Sequence, residues 1–419
     1  MKEIEAVWRI ESARVIAGVA RMARDVGLAE ELAQDALVAA LETWPGSGVP
    51  DNPGAWLMAA ARNRALDHFR RLKMLERKHQ ELVFEEAFEP DLAAALDDDI
   101  GDDLLRLIFT ACHPVLSTEA RVALTLRLLG GLATDEIARA FLVPEATIAQ
   151  RIVRAKRTLA EARVPFEAPH GEERAARLAS VLEVIYLVFN EGYAATAGEA
   201  WMRPALCDEA LRLGRILAEM LPEEAEVHGL VALMEIQASR FKARLGPSGE
   251  PVLLADQDRA RWDHLLIRRG LAALEKAQAL GGALGPYALQ ASIAACHARA
   301  RSAAETQWVR IVALYDALAQ LTPSPVVELN RAVAVGMALG PAAGLELVDE
   351  LLSEPSLRTY HLLPAVRGDL LAKLGRAGEA RAEFQRAASL TRNASERELL
   401  LERAAAVSWG TVKVHTRRS

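Results

Sequence analysis

Thr134 to Leu159, TDEIARAFLVPEATIAQRIVRAKRTL, is the stretch whose reading decides the fold around it. It reads as two helices joined by a tight break. Thr134 is a candidate N-cap, and Asp135 and Glu136 put negative charge in the first turn, where the helix dipole favours it. Ile137, Ala138 and Phe141 recur at helical spacing. Pro144 pushes the residue before it out of the α region, so the first helix ends near Leu142-Val143. Pro144 itself suits the first turn of the next helix, where its missing N–H costs nothing. The second helix buries Ile148, Ile152 and Leu159. Thr147, Gln150, Arg151, Arg154 and Arg157 face outward, with Lys156 alongside. Two readings fit this pattern. One is a helix-turn-helix whose second helix enters the major groove, its arginines and Gln150 reaching phosphates and base edges. The other is an ordinary αα-hairpin with a solvated face.

The rest of the chain narrows the choice. At 419 residues it is too long for one core and predicts two to four domains. Aromatics are only 5% while alanine and leucine dominate the apolar fraction, the composition of packed helices rather than sheets. No apolar run is long enough to span a bilayer, and MKEIEAVWRIESARVI carries acids too early for a signal peptide, so the expected location is the cytoplasm. Cys112, Cys207 and Cys296 are far apart and suggest neither a disulfide framework nor a zinc site. The net charge of −7 means that binding to nucleic acid would have to come from local basic patches.

Residues 4–42 read as two helices broken at Gly27. The second of them keeps Leu32, Ala36, Leu37, Ala40 and Leu41 inside and turns Glu30, Glu31, Gln34 and Asp35 outward. Residues 45–54 are dense in Pro, Gly, Ser, Asp and Asn and read as an exposed loop. A third helix, AWLMAAARNRALDHFRRLK, has an apolar side with Trp56 and Leu57. Its other side is basic: Arg62, Asn63, Arg64, Asp67, Arg70 and Arg71. Trp56 reads as core rather than as a base-stacking platform. Arg64 and Lys73 fit either a DNA contact or a solvated face. Residues 79–103 are strongly acidic and read as a linker.

The stretch AEELAQDALVAALETW followed by AWLMAAARNRALDHFRR resembles region two of the extracytoplasmic-function sigma subunits of bacterial RNA polymerase. Trp56-Leu57, Arg62-Asn63, Asp67 and Arg70-Arg71 fall in step with that family's pattern. The helix-turn-helix resembles region four through Gly131-Leu132, Pro144, Thr147-Ile148, Arg151 and Arg154-Ala155-Lys156. Ala149 departs from it, since the family often has a lysine there. The resemblance implies that Leu32, Gln34 and Asp35 dock on core RNA polymerase. It implies that Arg62, Asn63, Arg64, Asp67, Arg70 and Arg71 bind and help melt the downstream promoter element. Thr147, Gln150, Arg151, Arg154, Lys156 and Arg157 would then bind the upstream one. A melted strand needs a basic groove and pockets for unstacked bases, which suits such residues.

Beyond residue 170 the chain is helical and repetitive. Gly340 and Gly375 stand 35 residues apart in similar surroundings, close to the tetratricopeptide period of about 34. Residues 360–374, 377–390 and 395–405 read as successive helices, with looser pairs at 203–220 with 223–241 and 286–301 with 305–321. EVIYLVFNEGYAAT (183–196) and LLADQDRARW (253–262) break the repeat. They resemble stretches of a sigma subgroup whose tetratricopeptide-like extension controls activity and whose neighbouring genes often encode small YCII-like proteins. That resemblance makes Asn190, Tyr193, Asp256, Asp258, Arg259 and Trp262 candidates for a regulatory contact between the extension and the sigma core. No histidine or further carboxylate stands at ligand spacing from Asp256 and Asp258, which favours a structural network over a metal or catalytic site.

The expected protein is all-α and not an enzyme, and needs no cofactor or metal. Its domains are expected at residues 1–78, 104–166 and 171–410, with the linker at 79–103. It is expected to give RNA polymerase promoter specificity under the control of its own C-terminal region. The alternatives are a helix-turn-helix regulator with a sensing domain that binds duplex DNA without polymerase, and a peptide-binding scaffold that binds neither. A third is an enzyme centred on Asp256 and Asp258.

Overall fold

A computed structural model describes residues 2–79, 100–247 and 249–408. Most of the expected acidic linker therefore lies outside the described residues. The described chain is all-α apart from one pair of two-residue strands, and it divides into compact units at residues 1–187 and 188–419.

The first unit begins with three helices packed on one another, α1 (Lys2–Ala23), α2 (Val26–Ser47) and α3 (Pro53–His79). Val15, Ile16, Val19, Ala36, Leu57 and Ala61 recur at helical spacing and close their common core. The break between α1 and α2 is not at Gly27. Arg24 takes a left-handed φ of 52°, and the Asp25 carboxylate caps α2 by accepting the N–H groups of Gly27 (2.7 Å) and Leu28 (3.0 Å). The expected loop at 45–54 is also shorter than its composition suggests. α2 runs through Pro45, and α3 starts at Pro53 behind the Asn52 side chain, which accepts the Ala55 N–H at 3.0 Å. Buried Trp44 packs edge-on against Trp56, ring centres 5.2 Å apart, and anchors the last turn of α2 despite the proline.

Four helices follow: α4 (Ile100–Ala111), α5 (Thr118–Leu128), α6 (Thr134–Phe141) and α7 (Glu145–Glu161). α6 and α7 are the expected two helices. Ala133, not Thr134, is the N-cap of α6. The Glu136 side chain accepts the Ala133 N–H at 2.8 Å, so no cap hydroxyl is required. Leu142 makes the turn at φ 51°, and Ile148, Ile152, Ala155 and Leu159 hold α7 to its neighbours. The first half of α8 (Gly171–Tyr193) lies on this body. Buried Arg177 donates to the Phe109 carbonyl at 3.1 Å. Arg121 reaches the Ser180 hydroxyl and the Glu183 carboxylate, and Ser180 donates to the Cys112 carbonyl at 2.7 Å.

The helices on either side of the linker share a seam. Glu30, expected to face outward, is 4% exposed. One of its oxygens is 2.5 Å from Arg127 Nε and the other 2.5 Å from Lys156 Nζ. Arg9 meets Glu136 at 2.5 Å and Arg21 meets Asp103 at 3.4 Å. Periodicity misplaced Glu30 because it assumes that a carboxylate faces water. Here the two cations on the opposing helices compensate its burial.

The second unit is a succession of helical hairpins, α9 (Pro204–Met220) to α18 (Ala394–Ser408). α9, α10 (Ala225–Ala238), α12 (Pro286–Arg299), α13 (Trp308–Leu321), α16 (Leu362–Lys373), α17 (Ala377–Leu390) and α18 lie where the sequence pattern placed helices, and α14 (Pro325–Leu339) lies where it placed none. α11 (His264–Ala279) and α15 (Pro341–Glu350) complete the run. At the 35-residue interval the shared feature is the glycine after a helix, Gly340 at φ 104° and Gly375 at φ 77°. The glycines that let helices approach, Gly344 against Gly336 and Gly368 against Phe384, do not occupy equivalent positions. The unit also ties its end to its beginning. Strand β1 (Ala197–Gly198) pairs in parallel with β2 (Arg392–Asn393). Buried Asn393 donates to the carbonyls of Ala195 (3.0 Å) and Ala200 (2.9 Å).

Gly131 is the backbone position the first unit depends on most plainly. Its φ is 63°, and a Cβ there would come within 2.9 Å of Ser12 Oγ. Gly131→Ala should cost about 2 kcal/mol of stability. Gly46→Ala, whose added methyl would meet nothing within 4 Å beyond its own helix, should be neutral or slightly stabilising. Urea-unfolding midpoints that agree for the two variants would refute this account of the turn.

Candidate nucleic-acid interface

α3 buries Leu57, Ala61 and Ala65 against α1 and α2, which fixes the rotation of the helix. The opposite face therefore carries Asn63, Arg64, Asp67, Arg70 and Arg71, all exposed, with Arg62 half-buried beside them. None of Arg62, Asn63 and Asp67, the residues expected to capture an unpaired strand, is sealed inside the unit. Asp67 lies 3.4 Å from Arg70 and Arg64 lies 3.7 Å from Asp35. Such exposed pairs are weak, so these side chains can exchange a partner carboxylate for a phosphate or base edge at little cost. Trp56 is half-buried against Trp44, a core role rather than a stacking platform.

On α7 the helical rotation set by Ile148 and Ile152 leaves Gln150, Arg154 and Arg157 fully outward, with Thr147 and Arg151 half-buried at the edge. Arg157 pairs loosely with Glu161 at 3.2 Å. Lys156 differs from the other basic residues of this helix. Its side chain is 20% exposed and its ammonium is held by Glu30, so in this arrangement it does not belong to the outward face. Val153, 65% exposed, stands on that face between Gln150 and Arg157 and was missed by sequence reasoning. The available signal was an apolar residue on the polar side of the helix, suited to contact with a thymine methyl.

The three residues expected to dock on polymerase separate. Leu32 is 5% exposed and part of the core, so it cannot reach a partner directly. Gln34 is half-buried and Asp35 is exposed, leaving one edge of α2 available.

The candidates in the second unit divide the same way. Asp256 and Asp258 are exposed, and Asp258 caps a short 3₁₀ turn by accepting the Ala260 N–H at 3.0 Å. Among the described residues no group of three His, Cys, Asp or Glu is placed to hold a metal. Arg259 instead donates to the carbonyls of His297 and Ala300 (2.9 Å) at the end of α12. The ring of buried Trp262 lies 4.8 Å from the Arg259 guanidinium and 5.9 Å from that of Arg240. Tyr193 carries the Arg244 guanidinium 3.6 Å above its ring, and Asn190 is half-buried one turn before it. Arginines that cap helix C-termini and stack on aromatic rings form a structural network. Burial first, then the nearby Arg240 and Arg259 charges, push the His297 imidazole down to about 4.

Comparison with known proteins finds three family models that match parts of the chain. The sigma-70 region 2 family model matches residues 10–74, the sigma-70 region 4 model matches 106–159, and a family of unknown function (DUF6596) matches 177–278. A Rhizobium meliloti protein described only as uncharacterized is 46% identical over 383 residues, covering 90% of this chain and 89% of its own. The probable ECF RNA polymerase sigma factor SigI of Mycobacterium tuberculosis is 25% identical over 173 residues. That alignment covers 41% of this chain and 59% of the mycobacterial one.

Two measurements test this geometry. Replacing Arg154 and Arg157 with Ala should weaken binding to duplex DNA across all sequences and flatten the plot of log affinity against log salt by about 1–2; an unchanged slope would remove these residues from the interface. His297, with its basicity lowered on folding, contributes stability above its ordinary range that is lost as pH falls from about 6.5 toward 4. His297→Gln should therefore reduce the acid sensitivity of the second unit by on the order of 3 kcal/mol. Equal acid-unfolding curves for the two proteins would refute that link.

Proposed function

Because the chain belongs to the extracytoplasmic-function group of the sigma-70 family, we propose that it directs RNA polymerase to particular promoters through two separate helical faces, with its C-terminal region controlling their use. The observation that carries this reading is the exposure of Asn63, Asp67, Arg70 and Arg71 on α3 and of Gln150, Arg154 and Arg157 on α7. Both faces lie opposite the buried side of their helix, so both are available without unfolding.

The α3 face combines cations for phosphates with an amide and a carboxylate that suit base edges. That mixture fits capture of an unpaired strand better than neutralisation alone. The α7 face has the cations and amide suited to the major groove. The exposed edge of α2 at Gln34 and Asp35 suits docking on the polymerase core. The cytoplasm is the location this work requires, and no described helix is long and apolar enough to cross a membrane.

Control by the C-terminal region is supported by α8. Its first half is fastened to α4 and α5 through Arg121, Arg177 and Ser180, and the same helix continues past residue 187 into the second unit. A change borne by α8 would thus be felt by the body that holds α7.

Run-off transcription with core polymerase tests both parts. Asn63→Ala combined with Asp67→Ala should lower promoter-dependent product about tenfold without changing thermal unfolding, since both side chains are exposed. Wild-type product would refute the melting role. A chain ending at residue 187 should differ from the full chain by at least about threefold, a coupling of at least about 0.6 kcal/mol. Equal product from the two would refute C-terminal control.

A further inference from the structure

The seam around Glu30 uses a cation expected to serve DNA. Lys156 sits on the helix that carries the upstream face, yet its ammonium is 2.5 Å from a carboxylate of α2 that is 4% exposed. Arg127 holds the other oxygen of the same carboxylate at 2.5 Å. A carboxylate gripped by an arginine and a lysine presents to them what a DNA phosphate would present: an anionic oxygen pair in a charge-assisted contact. The two partners compete for the same donor.

The surrounding seam has the character of a contact that can open. Arg9 and Glu136 meet at 2.5 Å, with the Arg9 side chain 59% exposed. Beside them is an open groove of about 670 Å³ lined by Arg9, Gln34, Arg127 and Glu136. Water thus already reaches the flank of the seam. Gln34 stands one helical turn from Glu30 on the same helix, so a partner that engages α2 at Gln34 approaches the latch from the groove.

We propose that Glu30 is an internal competitor for DNA: it latches region 4 to region 2 and withholds Lys156 from the phosphate backbone until the seam opens. Opening frees Lys156 and Arg127 together and lets the α7 helix move independently of α3. The proposal rests on the DNA-binding reading of α7, but its two readouts separate the failure of one from the failure of the other.

The first readout is energy transfer between dyes on exposed positions either side of the seam, Arg14→Cys on α1 and Glu161→Cys on α7, in the otherwise full-length chain. Glu30→Gln should lower the transfer efficiency. Arg9→Glu, which repels Glu136 from an exposed position and spares the core, should lower it as well. Efficiency that stays at the wild-type value in both overturns the latch, whatever the protein does with DNA.

The second readout is fluorescence anisotropy with a labelled promoter duplex and no polymerase. Glu30→Gln should bind about fivefold to tenfold tighter than wild type, with a salt slope steeper by about 1, the value for one added phosphate contact. In Glu30→Gln combined with Lys156→Gln the gain should vanish. A gain that survives without Lys156, or dyes that separate with no gain in binding, overturns the withholding of Lys156. The run-off assay of the α3 variants does not depend on either result.

Discussion

The buried Glu30 carboxylate joins the parts of the first unit. Burying an unpaired carboxylate costs several kcal/mol, and the fold offsets that cost by bringing Arg127 from α5 and Lys156 from α7 to its two oxygens. Neither cation is near Glu30 in sequence. The pairings therefore require α2, α5 and α7 to be placed correctly at once, which is how a polar contact specifies an arrangement. Removing either cation would leave the Glu30 charge undercompensated in the interior, so the trio favours one register of the three helices. Gly131 serves the same geometry, since only a residue without a side chain lets the turn before α6 approach Ser12.

The second unit solves a related problem with arginine. Helix ends leave carbonyls without partners, and there Arg244 and Arg259 donate to the carbonyls at the ends of α8 and α12 while stacking on Tyr193 and Trp262. The cationic heads meet helix C-termini, where the backbone dipole is negative. Such a network needs no carboxylate, which is why Asp256 and Asp258 stay at the surface. Asn393 then reaches back across most of the unit to Ala195 and Ala200. A run of hairpins tied end to end loses the independence of its terminal repeats.

Function follows from which side of each helix the core claims. α3 and α7 each give one stripe to packing, and the opposite stripe is polar and basic. The same rule removed Leu32 from the surface and left Gln34 and Asp35 there. It also added Val153, an apolar side chain with no core to enter. The proposed interface is thus a by-product of two amphipathic helices, each of which gives its apolar stripe to the core.

Local chemistry made much of this legible in the sequence. Periodicity, proline and composition sufficed for the all-α class, the paired helices α6 and α7, the exposed faces of α3 and α7, and most helices beyond residue 200, because those signals act within one or two turns. Turn-former density misled at Pro45, where a distant ring contact between Trp44 and Trp56 outweighed it. Only tertiary structure decided that Glu30 lies inside, that Lys156 is engaged, and that Arg259 and Trp262 are scaffold. Each depends on a charge or ring meeting a partner far along the chain, and the energy of burying a charge is set by that partner rather than by the charge's own neighbours in sequence.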